Sequence, residues 1–156
     1  MVVDAPPQVP AHGVDPSSLD PVLAASSWKL SSTSGSTGTP RLVPAGAPAR
    51  IDPERCTPEF MPASGVQLVA GPLGHTAPFV YAMRGLMSGH ELVVLPSFAP
   101  DRWLAAAIDH HVTWAMVVPA MMRAVLAALP SPAPSLPALE RVLHLGARCP
   151  EPVKRG

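Results

Sequence analysis

The second half of the chain alternates short apolar segments with segments whose apolar residues repeat at helical spacing. Residues 91–95, 112–118 and 141–145 are typical of strands, and the two stretches between them are typical of helices. The strands lack the polar alternation of a sheet that keeps one face in water, which indicates helices on both faces. This β-α-β-α-β order predicts an α/β fold, a mostly parallel doubly wound sheet with flanking helices.

Proline and glycine mark the ends of the predicted helices. Pro100 and Pro119 each stand where a first helical turn begins, and Ser88-Gly89 ends a helix predicted over residues 78–87. An earlier strand is predicted over residues 66–70. The helices after the two prolines each carry one apolar stripe, namely Trp103, Leu104, Ala107, Ile108 and His111, and then Met121, Met122, Val125, Leu126 and Leu129. We interpret the methionines as core packing.

The beginning of the chain differs in composition from the rest. Of 156 residues 22 are proline, and residues 1–26 are rich in Pro, Ala, Asp and Ser without a sustained period. Because proline blocks regular structure, we predict an arm or linker over residues 1–26 and a folded domain over residues 27–156. Residues 7–10 also fit the loose pattern of a polyproline ligand, and this alternative makes the arm an interaction segment.

Charge and cysteine content exclude several classes of protein. Eleven Lys and Arg balance eleven Asp and Glu, whereas a module that neutralises phosphates normally carries a basic excess, so no nucleic-acid partner is predicted. Cys56 and Cys149 form no paired motif, so neither a disulfide framework nor a metal site is predicted. The chain shows no signal-peptide pattern at its start and no apolar run near the ~20 residues that span a bilayer. We expect a cytoplasmic protein without a transmembrane segment.

The segment from Ser34 to Arg41 carries the clearest chemistry. It combines two glycines, four hydroxyl side chains, one proline and one cation. Glycines let backbone N–H groups turn toward an anion, hydroxyls donate to phosphate oxygens, and Arg41 adds a permanent positive charge. The spacing fits neither GxxxxGK[ST] nor GxGxxG. Composition alone leaves two interpretations open, a phosphate-binding loop and a flexible Gly/Ser turn.

The run Thr33-Ser34-Gly35-Ser36-Thr37-Gly38-Thr39-Pro40-Arg41 resembles a known signature. It is similar to Thr-Ser-Gly-Thr-Thr-Gly-x-Pro-Lys of the AMP-forming adenylate synthetases, the superfamily of acyl-CoA synthetases, peptide-synthetase adenylation domains and luciferases. Further segments resemble the same family in the same order, at residues 71–79, 85–95, 98–104, 112–122 and 143–150. Within the superfamily, the chain is most similar to bacterial fatty-acid and bile-acid–CoA ligases.

The resemblance implies a partial N-terminal AMP-binding core domain over residues 27–156 and a two-step reaction. In the first step a carboxylic acid attacks the α-phosphorus of Mg²⁺-bound ATP, which gives an acyl-adenylate and pyrophosphate. In the second step the thiol of CoA displaces AMP. ATP, Mg²⁺ and CoA are therefore the implied cofactors, a small carboxylic acid is the implied substrate, and fatty acid metabolism is the implied context.

The resemblance also implies where ATP binds. The ATP phosphates would be held by the loop, through Thr33, Ser34, Gly35, Ser36, Thr37, Gly38 and Arg41. Arg41 stands where the family has lysine, so the positive charge is kept on a bulkier, planar group. Gly146 and Ala147 match the turn that lies against adenine, and Arg148 replaces the usual proline of that turn.

His75 matches the histidine of the family's acyl pocket, which would orient the carboxylate of the substrate or gate the pocket. No residue is assigned to catalysis itself, apart from Arg41 as the cation that holds phosphate. His110-His111 beside Asp109 is interpreted as a helix end rather than a metal site, because adjacent residues on a helix point apart.

The sequence contains no counterpart of the family's later motifs. These are an aromatic-Gly-x-Thr-Glu segment, the aspartate that holds ribose, and a lysine of the C-terminal domain. We therefore expect a truncated fragment that is inactive alone, and the alternative is a non-catalytic nucleotide- or partner-binding remnant. The open sheet edges of such a fragment predict marginal stability and self-association.

Overall fold

The computed structural model describes residues 25–32, 38–50, 52 and 57–155. The chain divides into two compact units, Met1–Arg50 and Ile51–Gly156. The expected arm over residues 1–26 falls almost entirely outside the described residues. The expected division into that arm and a core domain over residues 27–156 therefore stays a prediction.

The first unit contains a small antiparallel hairpin. Strand β1 (Leu30–Ser32) pairs with strand β2 (Leu42–Pro44), and the register sets Ser32 opposite Leu42. Backbone bonds continue the pairing outward, since the amide of Ala45 donates to Lys29 and the amide of Trp28 donates to Ala47. The hairpin thus closes the loop of residues 33–41 at its base. The sequence indicates a short strand over residues 28–33, and the observed β1 lies within that stretch but belongs to this hairpin and not to the parallel sheet. Strand β2 was not predicted.

The second unit is built on one parallel sheet. Its elements, in chain order, are β3 (Val66–Val69), α1 (Thr76–Met87), β4 (Glu91–Val94), α2 (Pro100–Asp109), β5 (Trp114–Val117), α3 (Pro119–Ala128), β6 (Arg141–His144) and α4 (Glu151–Arg155). The strands lie in the order β4-β3-β5-β6, and each neighbouring pair is parallel. The predicted parallel α/β sheet is confirmed, and among the described elements of this second unit only α4 lacks a predicted counterpart.

Both faces of the sheet are covered, as the continuous apolar strands predict. Leu68, Ala115 and Val117 point toward α2 and α3 and form the larger core with them. Trp114 and Met116 point to the opposite face, where residues of α1 and Met61 pack against them. The sheet is therefore doubly wound. Four of the five residues of the stripe predicted for α3 pack into the core, namely Met121, Met122, Val125 and Leu129. On α2, Ile108 is 42% exposed and His111 is exposed beyond the helix end, so the α2 stripe is narrower than predicted.

Helices α1 and α2 end in the same hydrogen-bonded turn. After α1 the amide of Gly89 donates to Leu86 and the amide of His90 donates to Gly85. After α2 the amide of His111 donates to Ile108 and that of Val112 to Ala107. This is the Schellman pattern, whose first residue beyond the cap takes a positive φ. Gly89 (φ 81°) and His111 (φ 49°) occupy that position, so His110-His111 is a helix end, as expected.

His111 is therefore a position where glycine should stabilise the fold. A side chain in the left-handed region carries a steric cost that glycine avoids. We expect His111→Gly to raise the free energy of unfolding by about 0.5–1 kcal/mol, measured by urea denaturation. The matched control is His110→Gly at the α2 cap, where φ is −103° and no such gain is expected. Equal effects of the two substitutions would contradict the explanation.

Strands β4 and β6 are the two edges of the parallel sheet within the described residues. Val94 on β4 and Val142 on β6 are 47% and 39% exposed. Exposed apolar edge strands are the usual site of edge-to-edge pairing, so self-association stays a prediction that sedimentation velocity at several concentrations tests. None of the helices in the described residues has the length and apolarity that crossing a membrane requires.

Candidate functional site

The parallel sheet has one position where its connections diverge. From β3 the chain passes through α1 on one face and reaches β4, whereas from β5 it passes through α3 on the opposite face and reaches β6. Since β3 and β5 are neighbours, the loops that follow them lead away to opposite faces of the sheet. Ligands of open α/β sheets bind beyond the carboxyl ends of the strands at such a switch point. The candidate site is therefore the carboxyl edge of the sheet.

His75 lies in the loop that follows β3 and caps the beginning of α1. Its backbone is extended (φ −90°, ψ 146°), its carbonyl accepts the amide of Phe79, and its amide donates to Pro72. The imidazole makes no capping hydrogen bond to the helix, and the residue is exposed. The backbone thus fixes the position of His75 at the carboxyl edge and leaves the ring accessible to a ligand.

Gly146 and Ala147 lie at the same edge, in the turn after β6. Gly146 has φ 89°, a conformation that other residues rarely adopt, and a Cβ at this position would lie 3.5 Å from Val118 Cγ1 at the end of β5. The turn after β6 and the segment after β5 are therefore neighbours. The structure brings His75 and the Gly146-Ala147 turn to one edge of the sheet, on either side of β5.

An open cavity of about 560 Å³ follows the turn. Its lining is formed by His144, Ala147, Arg148, Cys149, Pro150, Glu151 and Lys154. Arg148, which stands where the family has proline, is exposed and is one of the lining residues. Cys149 is a free, buried thiol. The cavity thus has a mixed polar and apolar lining and lies on the β6 side of the carboxyl edge.

The proposed phosphate loop belongs to the hairpin unit. Thr33, Ser34, Gly35, Ser36 and Thr37 lie outside the described residues. Gly38 is exposed, and a Cβ placed there would meet no atom within 4 Å. Arg41 is exposed and directly precedes β2, so the hairpin register fixes its backbone. The end of the loop that the structure describes therefore has free space beside Gly38. It carries the Arg41 cation directly before a hydrogen-bonded strand.

His144 is a site residue that the sequence interpretation did not identify. It is the last residue of β6, it lines the cavity, and its Nδ1 atom is buried without a hydrogen-bond partner. The signal available in the sequence was its position, the last residue of a strand directly before the glycine turn. Among the described residues no group of three or more His, Cys, Asp or Glu side chains is arranged to hold a metal ion.

Solved structures share this fold. The inhibitor-bound N-terminal domain of FACL13 from Mycobacterium tuberculosis superposes with a TM-score of 0.66 and 20% identity, over 81% of this chain and 32% of that chain. O-succinylbenzoate coenzyme A synthetase (MenE) from Bacillus subtilis in complex with AMP gives a TM-score of 0.58 and 21% identity, over 81% and 32%. The same enzyme with ATP and magnesium ion gives 0.58 and 21%, over 81% and 26%. The chain spans about a third or less of the length of these structures.

The sequence gives a more specific assignment than the fold. No curated protein matches the chain. The family profile described as AMP-binding enzyme, in contrast, matches residues 28–156, which include the hairpin, the loop and every element of the parallel sheet. The expected relationship to adenylate-forming enzymes is thereby confirmed, and the chain belongs to the AMP-binding enzyme family.

Proposed function

We propose that this chain takes part in carboxylate adenylation as a segment of an AMP-forming acid–CoA ligase. The observation that carries the proposal is the loop of residues 33–41, whose sequence resembles the family's phosphate signature and whose ends are closed by the β1–β2 pair. A hairpin that fixes both ends of a Gly-, Ser- and Thr-rich loop lowers the conformational entropy that ordering the loop around an anion would cost. The family membership of residues 28–156 supports the same reaction class.

The role proposed for the loop is to hold the β- and γ-phosphates of ATP. In the adenylation step a carboxylate oxygen bonds to the α-phosphorus while the bond from that phosphorus to the bridging oxygen of pyrophosphate breaks. Negative charge builds up on the departing pyrophosphate. The Arg41 guanidinium and the loop amides would stabilise that charge and keep the leaving group in line with the attack. CoA thiol would then displace AMP and yield the thioester.

The role proposed for His75 is to orient the carboxylate. The ring is exposed at the switch point, directly before the first turn of α1. Backbone N–H groups at a helix start and their partial positive charge favour a carboxylate nearby. A histidine N–H beside them adds a directional hydrogen bond, so the nucleophilic oxygen is presented in one direction.

The described residues do not provide a protein-built site for Mg²⁺. Mg²⁺ commonly keeps several waters and binds through substrate phosphates, so we propose that it enters bound to the phosphates of ATP. We assign no step to the metal. Fatty or bile acids are the class of carboxylic acid substrate that the resemblance favours.

The experiment that tests the proposal compares ATP and AMP binding to the chain by calorimetry. A charge-assisted hydrogen bond to phosphate contributes about 1.5–3 kcal/mol, so Arg41→Ala should weaken ATP binding by about tenfold or more. Arg41→Lys should recover most of that loss, and AMP, which lacks the β- and γ-phosphates, should bind equally to all three. The matched control is Arg102→Ala, which removes an exposed arginine from α2.

Two outcomes would separate the rival functions. Acyl-hydroxamate formation from ATP and a panel of carboxylic acids, above a heat-treated control, would establish a ligase that is active as this chain. ATP binding that depends on Arg41 without hydroxamate would support the alternative, a non-catalytic nucleotide-binding remnant. ATP binding that is unchanged in Arg41→Ala would refute the phosphate role of the loop in both cases.

A further inference from the structure

We infer that His90 is an acid-sensitive link in the fold, because the uptake of one proton by its ring removes the hydrogen bond that Trp114 donates to it. This role goes beyond the proposed function, since it requires neither the loop of residues 33–41 nor a nucleotide. It makes the folded state of the second unit depend on pH through one buried side chain.

The ring of His90 is enclosed, and both of its nitrogens are used. The residue lies between α1 and β4 and is 4% exposed. Its Nδ1 accepts the indole N–H of Trp114 at 2.9 Å, and its Nε2 lies 3.1 Å from the carbonyl oxygen of Pro62. An indole nitrogen can only donate and a carbonyl oxygen can only accept, so this arrangement requires a neutral ring with its proton on Nε2.

A second proton has only Nδ1 to occupy, and this atom faces the indole. Two N–H groups then point at each other, so the hydrogen bond from Trp114 is lost. The indole N–H is left without an acceptor on a side chain that is 1% exposed, and a buried donor without a partner destabilises the folded state. Since Trp114 packs with Met61 and Met116 in the core on the α1 face of the sheet, the loss falls on the interior of the unit.

The surroundings of the ring do not compensate an added positive charge. In the described part of the chain, the elements packed around the ring carry two cations and two carboxylates, namely Arg84 on α1, Arg141 on β6, Glu91 on β4 and Glu59 in the segment before β3. The two cations repel a protonated ring, and Tyr81 on α1 stays neutral in acid, as tyrosines do. The two carboxylates belong to exposed residues, and the ring nitrogens are already taken by Trp114 and Pro62. A buried charge without a partner is unfavourable, so the fold opposes protonation of His90.

The direction of the pH dependence follows from proton binding in the two states. Histidines of an unfolded chain take up a proton at about pH 6.5, whereas the folded chain can protonate His90 only by losing the Trp114 hydrogen bond. The unfolded state therefore binds more protons in acid. The stability that His90 contributes is complete above about pH 6.5 and falls as the pH falls. A difference of one proton lowers the ratio of folded to unfolded chain by about fivefold between about pH 6.5 and 5.5.

The test is urea unfolding of the full chain and of His90→Gln at several pH values between about 7.5 and 5.5. The glutamine amide does not titrate, and it can accept from Trp114 or donate to Pro62. We expect the ratio of folded to unfolded chain to fall about fivefold further in the parent than in the variant between about pH 6.5 and 5.5. The other histidines are common to both chains, so their titration cancels in the comparison. His110→Gln, at the exposed end of α2, is the matched control and should keep the pH dependence of the parent.

A second measurement requires no substitution and therefore does not depend on how well His90→Gln folds. In full chain labelled with ¹⁵N-histidine, the His90 ring of the folded molecules should keep the neutral Nε2–H pattern at about pH 5.5, where solvent-exposed histidines carry both protons.

Two results would overturn the inference. One is an equal pH dependence of the parent and His90→Gln, and the other is a folded chain in which the His90 ring is protonated at about pH 5.5. Failure here is distinguishable from failure of the proposed function, because the latter is read from the dependence of ATP binding on Arg41.

Discussion

Replacing Gly65 by alanine is expected to lower the free energy of unfolding by about 3 kcal/mol. Gly65 has φ 140°, in a region that residues with a side chain rarely enter, and it directly precedes β3. A Cβ built on its backbone would overlap the hydroxyl of Thr113. The substitution therefore combines backbone strain with displacement of a neighbouring side chain.

The displaced hydroxyl has a structural role. Thr113 Oγ1 accepts from the amide of Val66 at 3.0 Å and donates to the carbonyl of the same residue at 3.2 Å. The backbone amide of Thr113 also donates to the Val66 carbonyl, at 2.9 Å. The Thr113 side chain, directly before β5, thus holds the beginning of β3. Moving it removes two hydrogen bonds at the centre of the sheet.

The matched control separates backbone strain from overlap. Gly89 also has a positive φ, but a Cβ there would meet no atom within 4 Å. Gly89→Ala should therefore cost only about 1 kcal/mol. In a Thr113→Ala background the overlap is relieved, so Gly65→Ala should cost less than in the parent chain. Urea denaturation of the four variants measures this, and equal costs at Gly65 and Gly89 would show that the overlap is not important.

The sequence predicted the parallel sheet well because the residues that mark its helices and strands lie within or directly beside those elements in the chain. Each helix that follows a proline begins as the fixed φ of proline predicts, and Gly89 ends α1 as expected. The strands of the sheet are short and mostly apolar, and their predicted positions agree with the observed ones to within two residues. Helices and strands that are bounded by proline or glycine in this way are the ones that a single sequence identifies most reliably.

The elements that were missed lack a periodic signal. Strand β2 has three residues and ends on a proline, and α4 has five residues with proline at its second position. Neither is long enough to show a repeat. Of the predicted site residues, His75, Gly146 and Ala147 lie at the carboxyl edge, and their roles stay predictions. The position of His144 in the cavity lining could not be recognised from the sequence. Its significance depends on a cavity formed with residues of the following turn and helix.

The hydrogen bonds around the buried His90 also could not be predicted from the sequence. His90 is 4% exposed and Trp114 is 1% exposed. The indole N–H of Trp114 donates to His90 Nδ1 at 2.9 Å, and His90 Nε2 lies 3.1 Å from the carbonyl oxygen of Pro62. The partners are 24 and 28 residues from His90 in the chain, so no local pattern marks them.

The chemistry of the two partners fixes the state of the ring. An indole N–H only donates and a carbonyl oxygen only accepts, so Nδ1 must be unprotonated and Nε2 must carry the proton. His90 is therefore the neutral Nε2–H tautomer, and it connects the beginning of β5 to the segment before β3. The ¹⁵N shifts of the His90 ring should show this tautomer directly.

Replacing His90 by leucine is expected to lower the free energy of unfolding by about 3 kcal/mol, because the indole N–H and the Pro62 carbonyl are then both buried and unpaired. Trp114→Phe leaves Nδ1 of His90 without a donor and should also destabilise the fold. The double variant removes both ends of one hydrogen bond, so its cost should fall short of the sum of the single costs by about 1–2 kcal/mol. His110→Leu, at the exposed end of α2, is the control and should change stability little. Strict additivity of the two buried substitutions would show that the Trp114–His90 hydrogen bond does not stabilise the sheet.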